Sequence, residues 1–212
     1  MKKGMLFSTL LSTILASGAL ADNYYDPAPI NAPAVNNFYV GLAYGYANVS
    51  DDYIDYLYGD TTHTDIDFNT LMLQAGYQYN PYVAFEFRYW ISMGDGEYDF
   101  SSNFPYVVPN GSYSDLDAWG FYVKPMYPVS PEFSIYGLLG FSGVTVSGEP
   151  QWGRDLLNDG DFSWGLGASY SATPNVLIFA DYVWLYDDWI DYPETSQETS
   201  VDVFTVGISY RF

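Results

Sequence analysis

His63 is the only histidine of the 212-residue chain, so any acid–base or metal-binding role open to histidine depends on it alone. It lies in a polar stretch near 50–66, and no serine stands beside it in sequence. Folding could bring Ser101, Ser102 or Ser112 near it, because a catalytic triad is defined by positions in space. A nucleophile–base pair is therefore open to His63, but a solvated loop histidine is the simpler interpretation, and we adopt it.

The run Gly94-Asp95-Gly96-Glu97-Tyr98-Asp99 alternates carboxylates as a calcium-binding loop does. It lacks the glycine expected at the sixth position, where Phe100 stands, and the late glutamate, where Tyr106 stands. We therefore predict no dedicated metal site and no cofactor. Because hard cations need only oxygen ligands, weak and non-specific binding of Ca²⁺ or Mg²⁺ at the acidic loops stays open.

The third set of candidate functional residues consists of charged residues within segments that alternate apolar and polar positions. Its members are Glu86, Arg88, Lys124, Asp181 and Arg211. Each is flanked by apolar residues at the neighbouring positions, so a period of two residues sends all five to the face opposite the apolar side chains. If this face lines a closed interior, an unpaired charge there is costly, and the five residues should pair as a lumen charge network.

Eight alternating segments supply the strands that would position these residues. They lie near 38–49, 67–80, 82–93, 115–128, 132–146, 161–171, 175–187 and 200–212. Each is slightly longer than the 9 to 11 or so residues with which a tilted strand crosses a bilayer. A sheet in lipid must close on itself, so we predict an all-β fold: a transmembrane antiparallel up-and-down β-barrel of eight strands.

The connections between the segments alternate between short and long, as they do in outer-membrane barrels. Three are tight, at Asn80-Pro81, Val129-Ser130-Pro131 and Ala172-Thr173-Pro174. The other four, near 50–66, 94–114, 147–160 and 188–199, are long, and the acidic residues concentrate in them. We expect the short turns to face the periplasm and the long acidic loops to face the exterior.

Aromatic residues make up 20% of the chain and collect near the ends of the segments. Trp119, Trp164 and Trp184 are expected near the outer ends, and Tyr79, Tyr127, Tyr170 and Phe212 near the inner ends. Two such girdles are typical of the interfaces of a membrane barrel.

The first 21 residues have the pattern of an export signal. Lys2 and Lys3 precede a short apolar stretch, and Ala19-Leu20-Ala21 provides a small-x-small cleavage site. We divide the chain into a signal peptide at 1–21, a Pro-rich periplasmic leader at 22–37 and the outer-membrane barrel at 38–212. Cleavage leaves four basic residues against 26 acidic ones, a formal charge of −22, which makes nucleic acid an implausible partner.

The chain ends with apolar residues at alternate positions, Phe204, Val206, Ile208, Tyr210 and Phe212. Here the sequence resembles the small outer-membrane β-barrel family that includes the opacity proteins and the barrel of outer membrane protein A. The resemblance implies that these five residues are the signal read by the barrel-assembly machinery. The family includes adhesins, membrane anchors, narrow pores and a few lipid-modifying enzymes.

These observations lead to three functional hypotheses. The first is a non-enzymatic barrel in the outer membrane, in contact with lipid and lipopolysaccharide, which serves envelope structure, adhesion or partner binding. Its lumen charges would form a plug, since eight strands leave an interior that side chains fill. The alternative is a narrow porin-like channel for small solutes or cations, with the same charges as a gate or selectivity ring. The third is a lipid-modifying enzyme that uses His63.

Overall fold

The computed structural model describes residues 37–102, 115–147, 155–191 and 193–212. The signal peptide and all but the last residue of the leader lie outside them. The described chain forms one antiparallel sheet of nine strands. The strands are β1 Phe38–Asp55, β2 Asp60–Asn80, β3 Val83–Ser92, β4 Glu97–Ser102, β5 Asp115–Pro128, β6 Phe133–Ser147, β7 Asp155–Ser171, β8 Val176–Asp191 and β9 Thr195–Arg211.

The sheet closes because β1 pairs with β2 along one edge and with β9 along the other. Around the barrel the strands follow the order β1, β2, β3, β5, β6, β7, β8 and β9. The predicted eight-stranded up-and-down barrel is confirmed. Within the described ranges, the chain has no helix with the length and apolar character needed to cross a membrane.

Strand β4 is not an additional strand of the ring, because β3 and β4 pair with successive parts of β2. β3 pairs with β2 from Thr70 to Asn80, and β4 pairs with β2 from Thr62 to Asp67. Both run antiparallel to β2, so β4 continues the line of β3 after a break at 93–96. Gly94 in this break has a φ of +147°, a backbone conformation that residues with a side chain rarely adopt. The run that resembles a calcium loop is therefore a strand break followed by a strand.

The three tight turns are confirmed, and they lie at one end of the barrel, which we call the lower rim. In each turn a polar side chain accepts backbone hydrogen bonds, as expected for Asn, Ser and Thr in turns. Asn80 accepts from the Tyr82 amide at 2.8 Å, and Ser130 and Thr173 do the same in the other two turns. Phe38 and Phe212 meet at this rim, where the Phe212 amide donates to the Phe38 carbonyl.

All four long loops predicted for the opposite end, the upper rim, contain strand: β4 lies within 94–114, and β7 begins at Asp155, within 147–160. The other two predicted loops are almost entirely strand. Near 50–66, β1 continues to Asp55 and β2 begins at Asp60, and near 188–199, β8 continues to Asp191 and β9 begins at Thr195. The Asp, Ser and Thr content of these stretches suggested loops. Their Thr, Tyr and Ile residues favour strands, however, and polar residues on both faces are tolerated where the sheet extends into water.

Candidate functional site: the barrel interior and the upper sheet

Four of the five predicted lumen charges are brought together inside the barrel. In β3 the exposed Phe85 and the half-buried Phe87 point outward, and their neighbours Glu86 and Arg88 are buried in the interior. Lys124 of β5 and Asp181 of β8 are also buried. The period-two pattern of each strand thus places all four side chains on the inner face of the wall.

Arg88 stands at the centre of this cluster. Its two terminal nitrogens donate to the two carboxylate oxygens of Asp181 at 2.9 and 2.8 Å, and its Nε donates to Glu86. Lys124 Nζ donates to the other oxygen of Glu86 at 3.0 Å. These four side chains, which we call the charge cluster, are between 0 and 8% exposed. Two cations face two anions, so the cluster is formally neutral and its charges are paired.

Two tyrosines complete the hydrogen bonding of the carboxylates. The Tyr39 hydroxyl donates to Glu86 at 2.6 Å, and the Tyr136 hydroxyl donates to Asp181 at 2.7 Å. Lys124 Nζ also lies 3.9 Å from the centre of the Tyr136 ring, a favourable cation–π contact. Sequence reasoning assigned the charges but missed the hydrogen bonds of these hydroxyls.

Glycines provide the space that these tyrosines occupy. Gly76 lies opposite Glu86 on the neighbouring strand, and a Cβ at Gly76 would stand 2.2 Å from the Tyr39 ring. Gly167 lies opposite Asp181, and a Cβ there would stand 2.6 Å from the Tyr136 ring. The same arrangement of glycine, tyrosine and carboxylate thus occurs on two sides of the barrel.

Above the charge cluster the interior is closed by apolar side chains, a feature that sequence reasoning did not predict. We call this layer the apolar plug. Its members are between 0 and 1% exposed: Ala47, Val49, Ile66, Phe68, Trp90, Leu116, Val144, Val146, Leu185, Val201 and Val203. Several sit opposite one another in the ladder, with Val49 between Ile66 and Val201. The upper interior is therefore packed like the core of a soluble β-protein.

Arg211, the fifth predicted member of the lumen network, stands apart. It lines a cavity of about 30 Å³ near the lower rim, together with Lys124 and Tyr39. Among the described residues it makes no ion pair, and its Nε has no hydrogen-bond partner there. A cavity of this size holds only a few water molecules, so it is too small to form a passage through the barrel.

His63 lies on β2, not in the loop that was predicted. Its Nδ1 contacts Asp52 of β1, and its Nε2 lies 2.7 Å from Asp65. The hydrogen bond to Asp52 is the largest cause that raises the pKa of His63 above 6.5, with the charges of Asp52 and Asp65 adding to it. Ser101 pairs with His63 in the β2–β4 ladder, but both ring nitrogens already face carboxylates.

Over the ranges that the structure describes, the other serine and metal candidates give no catalytic or metal-binding arrangement. Ser102 donates to Asp60 at 3.4 Å, and Ser112 lies outside the described residues. Among the described residues, no three histidine, aspartate or glutamate side chains are arranged to hold a metal ion.

Residues of the two aromatic girdles lie on the outer face of the barrel. Trp164 and Trp184 stack with ring centroids 4.0 Å apart, and Trp119 is 43% exposed. At the lower rim, Tyr79, Tyr127, Tyr170 and Phe212 are all exposed. The five alternating C-terminal residues from Phe204 to Phe212 also point outward. Between the girdles, the outer surface is a continuous apolar band.

A comparison with known protein families matches residues 7–212 to the family described as outer membrane protein beta-barrel domain. Outer membrane protein A of Salmonella typhi is 28% identical over 188 residues, which cover 85% of this chain and 50% of that protein. Outer membrane protein A of Escherichia coli O157:H7 is 27% identical over 186 residues, covering 85% and 49%. The chain spans about half the length of these curated relatives.

Solved structures share the fold at low sequence identity. The solid-state NMR structure of outer membrane protein AlkL in lipid bilayers has a TM-score of 0.57 at 15% identity, covering 90% of this chain and 96% of that one. Neisserial surface protein A has a TM-score of 0.52 at 19% identity, covering 83% and 97%. The outer membrane protease OmpT of Escherichia coli also has a TM-score of 0.52, at 11% identity, covering 83% and 97%. These likenesses establish the fold alone.

Proposed function

This chain belongs to the outer membrane protein β-barrel family, and we propose that it acts as a closed, non-enzymatic barrel that presents an acidic β-sheet to the cell exterior. It is an integral protein of the outer membrane, held there by an apolar outer face that contacts lipid. Its role on this proposal is envelope structure, adhesion or partner binding. Residues 1–21 would direct export and be removed, and residues 22–37 would lie in the periplasm below the barrel.

The observation that carries the proposal is the packing of the interior. The charge cluster fills the middle of the barrel, and the apolar plug fills the upper part with side chains that exclude water. A conducting channel needs a continuous path wide enough for water and solute. Opening one here would require Arg88 to leave Asp181 and the apolar plug to separate. The packing therefore supports a plug over a porin-like channel.

The surroundings of His63 support a non-enzymatic role. A histidine that acts as a general base needs a ring nitrogen that faces the reacting group. Here Nδ1 contacts Asp52 and Nε2 contacts Asp65, so neither nitrogen is directed at a serine. The acidic sheet instead favours contact with partners, including lipopolysaccharide bridged by divalent cations, while the C-terminal residues would serve the barrel-assembly machinery.

A solute-flux assay tests the closed barrel. Refolded protein is incorporated into liposomes, folding is checked by the heat-dependent shift in gel mobility, and swelling is followed in solutions of small sugars and salts. We expect swelling no faster than in protein-free liposomes, while liposomes that contain a general porin swell. Swelling that depends on solute size in the barrel liposomes would favour the porin-like channel.

A further inference from the structure

Two hairpins of the upper rim join at their tips. The β1–β2 hairpin turns at 56–59, and the β8–β9 hairpin turns after Asp191. The Tyr56 amide donates to the Glu194 carbonyl at 2.8 Å, and Asp55 pairs with Thr195 in the ladder. Tyr56 lies ten residues beyond Tyr46, the last outward aromatic residue of β1, which is roughly 33 Å along a strand. At a strand tilt of about 40°, the tips stand about 25 Å above the apolar band.

Large apolar side chains are exposed at these joined tips. We call them the tip surface: Tyr56, Leu57, Tyr58 and Trp189, which are 57, 64, 76 and 65% exposed. Ile190 is also exposed, but it follows Trp189 directly in β8 and therefore lies on the other face of the sheet. Single exposed apolar residues are common on proteins. Four of them on two joined hairpins, well above the band that lipid covers, instead mark an interaction surface.

Hydrogen bonds within the chain order the tip surface in the absence of a partner. Asp55 accepts hydrogen bonds from the amides of Leu57 and Tyr58 at 2.9 and 3.1 Å, and Gly59 closes the turn with a φ of +67°. The indole of Trp189 donates to Ser196 at 2.8 Å. A turn whose backbone is already held and a Trp side chain that is already fixed lose little conformational entropy on binding, and Trp is an effective anchor of protein interfaces.

Carboxylates surround the tip surface. Asp52 and Glu198 pair in the ladder, and Glu198 pairs with Trp189 on the next strand. Asp187 and Asp191 flank the same tryptophan along β8. The lysine and arginine residues of the described chain are Arg88, Lys124 and Arg211, and all three belong to the barrel interior. The upper sheet therefore attracts cations and repels anionic surfaces.

We propose that the tip surface binds a cationic, amphipathic polypeptide segment of a partner protein, in which Lys or Arg side chains alternate with apolar ones. The apolar side chains would contact Leu57 and Trp189, and the basic ones would face Glu198 and Asp191. Repulsion between acidic surfaces disfavours a second copy of this chain, and in the absence of bridging cations it disfavours anionic lipid in the same way. This inference rests on the proposed function in one respect, that the upper sheet faces the exterior.

Binding of a synthetic peptide to the refolded full-length barrel in zwitterionic nanodiscs tests the proposal. The probe is a fluorescein-labelled amphipathic peptide of lysine and leucine, with empty nanodiscs as the reference and a glutamate–leucine peptide as the charge control. We expect saturable binding of the lysine peptide that weakens with salt. Leu57→Ser and Trp189→Ala should each weaken it by roughly tenfold or more.

Val129→Ser is the matched control, because Val129 is 57% exposed at the lower rim, at the opposite end of the barrel. It should bind the peptide as the wild type does. Binding that survives both tip variants, equal binding to empty nanodiscs, or pairing of barrels without peptide would overturn the proposal. Solute flux reports separately on the proposed function, since a barrel that excludes solutes yet fails to bind the peptide contradicts the tip proposal alone.

Discussion

Arg88 and Asp181, which lie 93 residues apart in the sequence, meet inside the barrel through two parallel hydrogen bonds of 2.9 and 2.8 Å. Their strands, β3 and β8, are separated by three strands on either side of the ring, so the pair links opposite walls. The two strands also share a weak sequence repeat, 81–89 with 174–182, in which Arg88 and Asp181 occupy equivalent positions. A charge pair between two strands of similar sequence thus connects opposite walls of the barrel.

Removing Arg88 should destabilise the barrel strongly. Arg88→Met leaves Asp181 buried without a cation and weakens the neutralisation of Glu86, which we expect to cost about 3–5 kcal/mol of unfolding free energy. Urea unfolding of the barrel in lipid vesicles, followed by tryptophan fluorescence, measures this loss. The double variant Arg88→Met/Asp181→Leu should recover much of it because no unpaired charge remains at Asp181. Losses that simply add in the double variant would show that the pair is not coupled.

A methyl group at Gly76 should disturb the charge cluster through Tyr39. The new Cβ would stand 2.2 Å from the Tyr39 ring, so the ring must move and its hydrogen bond to Glu86 weakens. We expect Gly76→Ala to cost roughly 1–3 kcal/mol in the same unfolding assay. Gly137→Ala is the matched control, since its Cβ would meet Pro125 at an ordinary 3.5 Å. An equal loss in both variants would argue against the packing described for Tyr39.

The titration of His63 should report its contact with Asp52. The hydrogen bond to Asp52, followed by the charges of Asp52 and Asp65, raises the pKa of the folded imidazole above 6.5. The resulting stabilisation is complete below pH 6.5, the unfolded value, and is lost as the pH rises through the higher folded pKa. NMR titration of the single imidazole measures the midpoint. Asp52→Asn should lower this pKa more than Asp65→Asn does, and a midpoint at 6.5 or below would contradict the geometry.

Loss of the imidazole should leave membrane lipids unchanged. Wild-type and His63→Ala barrels, incubated with lipopolysaccharide and phospholipid, should show the same lipid composition by mass spectrometry, because neither His63 nitrogen is directed at a serine. Deacylated lipid that accumulates with the wild type and not with His63→Ala would establish the enzyme hypothesis instead.

The sequence predicted the faces of the strands well because each face follows from a period of two residues. Phe85 and Phe87 against Glu86 and Arg88 need only local alternation. The partners of each charge did not follow in the same way. Periodicity gives the side of the wall but not the distance across it, so the contact of Tyr136 with Asp181 depends on barrel closure and on the space at Gly167.

The upper sheet was missed because the polarity pattern inverts along the same strands. In β1, Tyr44 and Tyr46 point outward within the apolar band, whereas Val49 is buried in the interior above it. In β2, Ile66 and Phe68 are buried and Asp65 and Asp67 lie on the other face. Within the membrane the apolar residues of these strands face outward, and above the membrane they face inward. Because the outward residues above the membrane are acidic, the stretch was predicted to be a loop. The exchange of apolar and polar residues between alternate positions was the sequence signal that the strands continue above the membrane.

Single-channel conductance in planar bilayers tests the closed interior most directly. Refolded wild-type barrel whose folding has been confirmed by gel mobility should give no steady conductance steps, because the charge cluster and the apolar plug fill the lumen. Glu86→Gln and Lys124→Met should change stability without creating ion selectivity. Steady, ion-selective steps from the wild type that change in either variant would contradict the closed barrel and make these charges the filter of a channel.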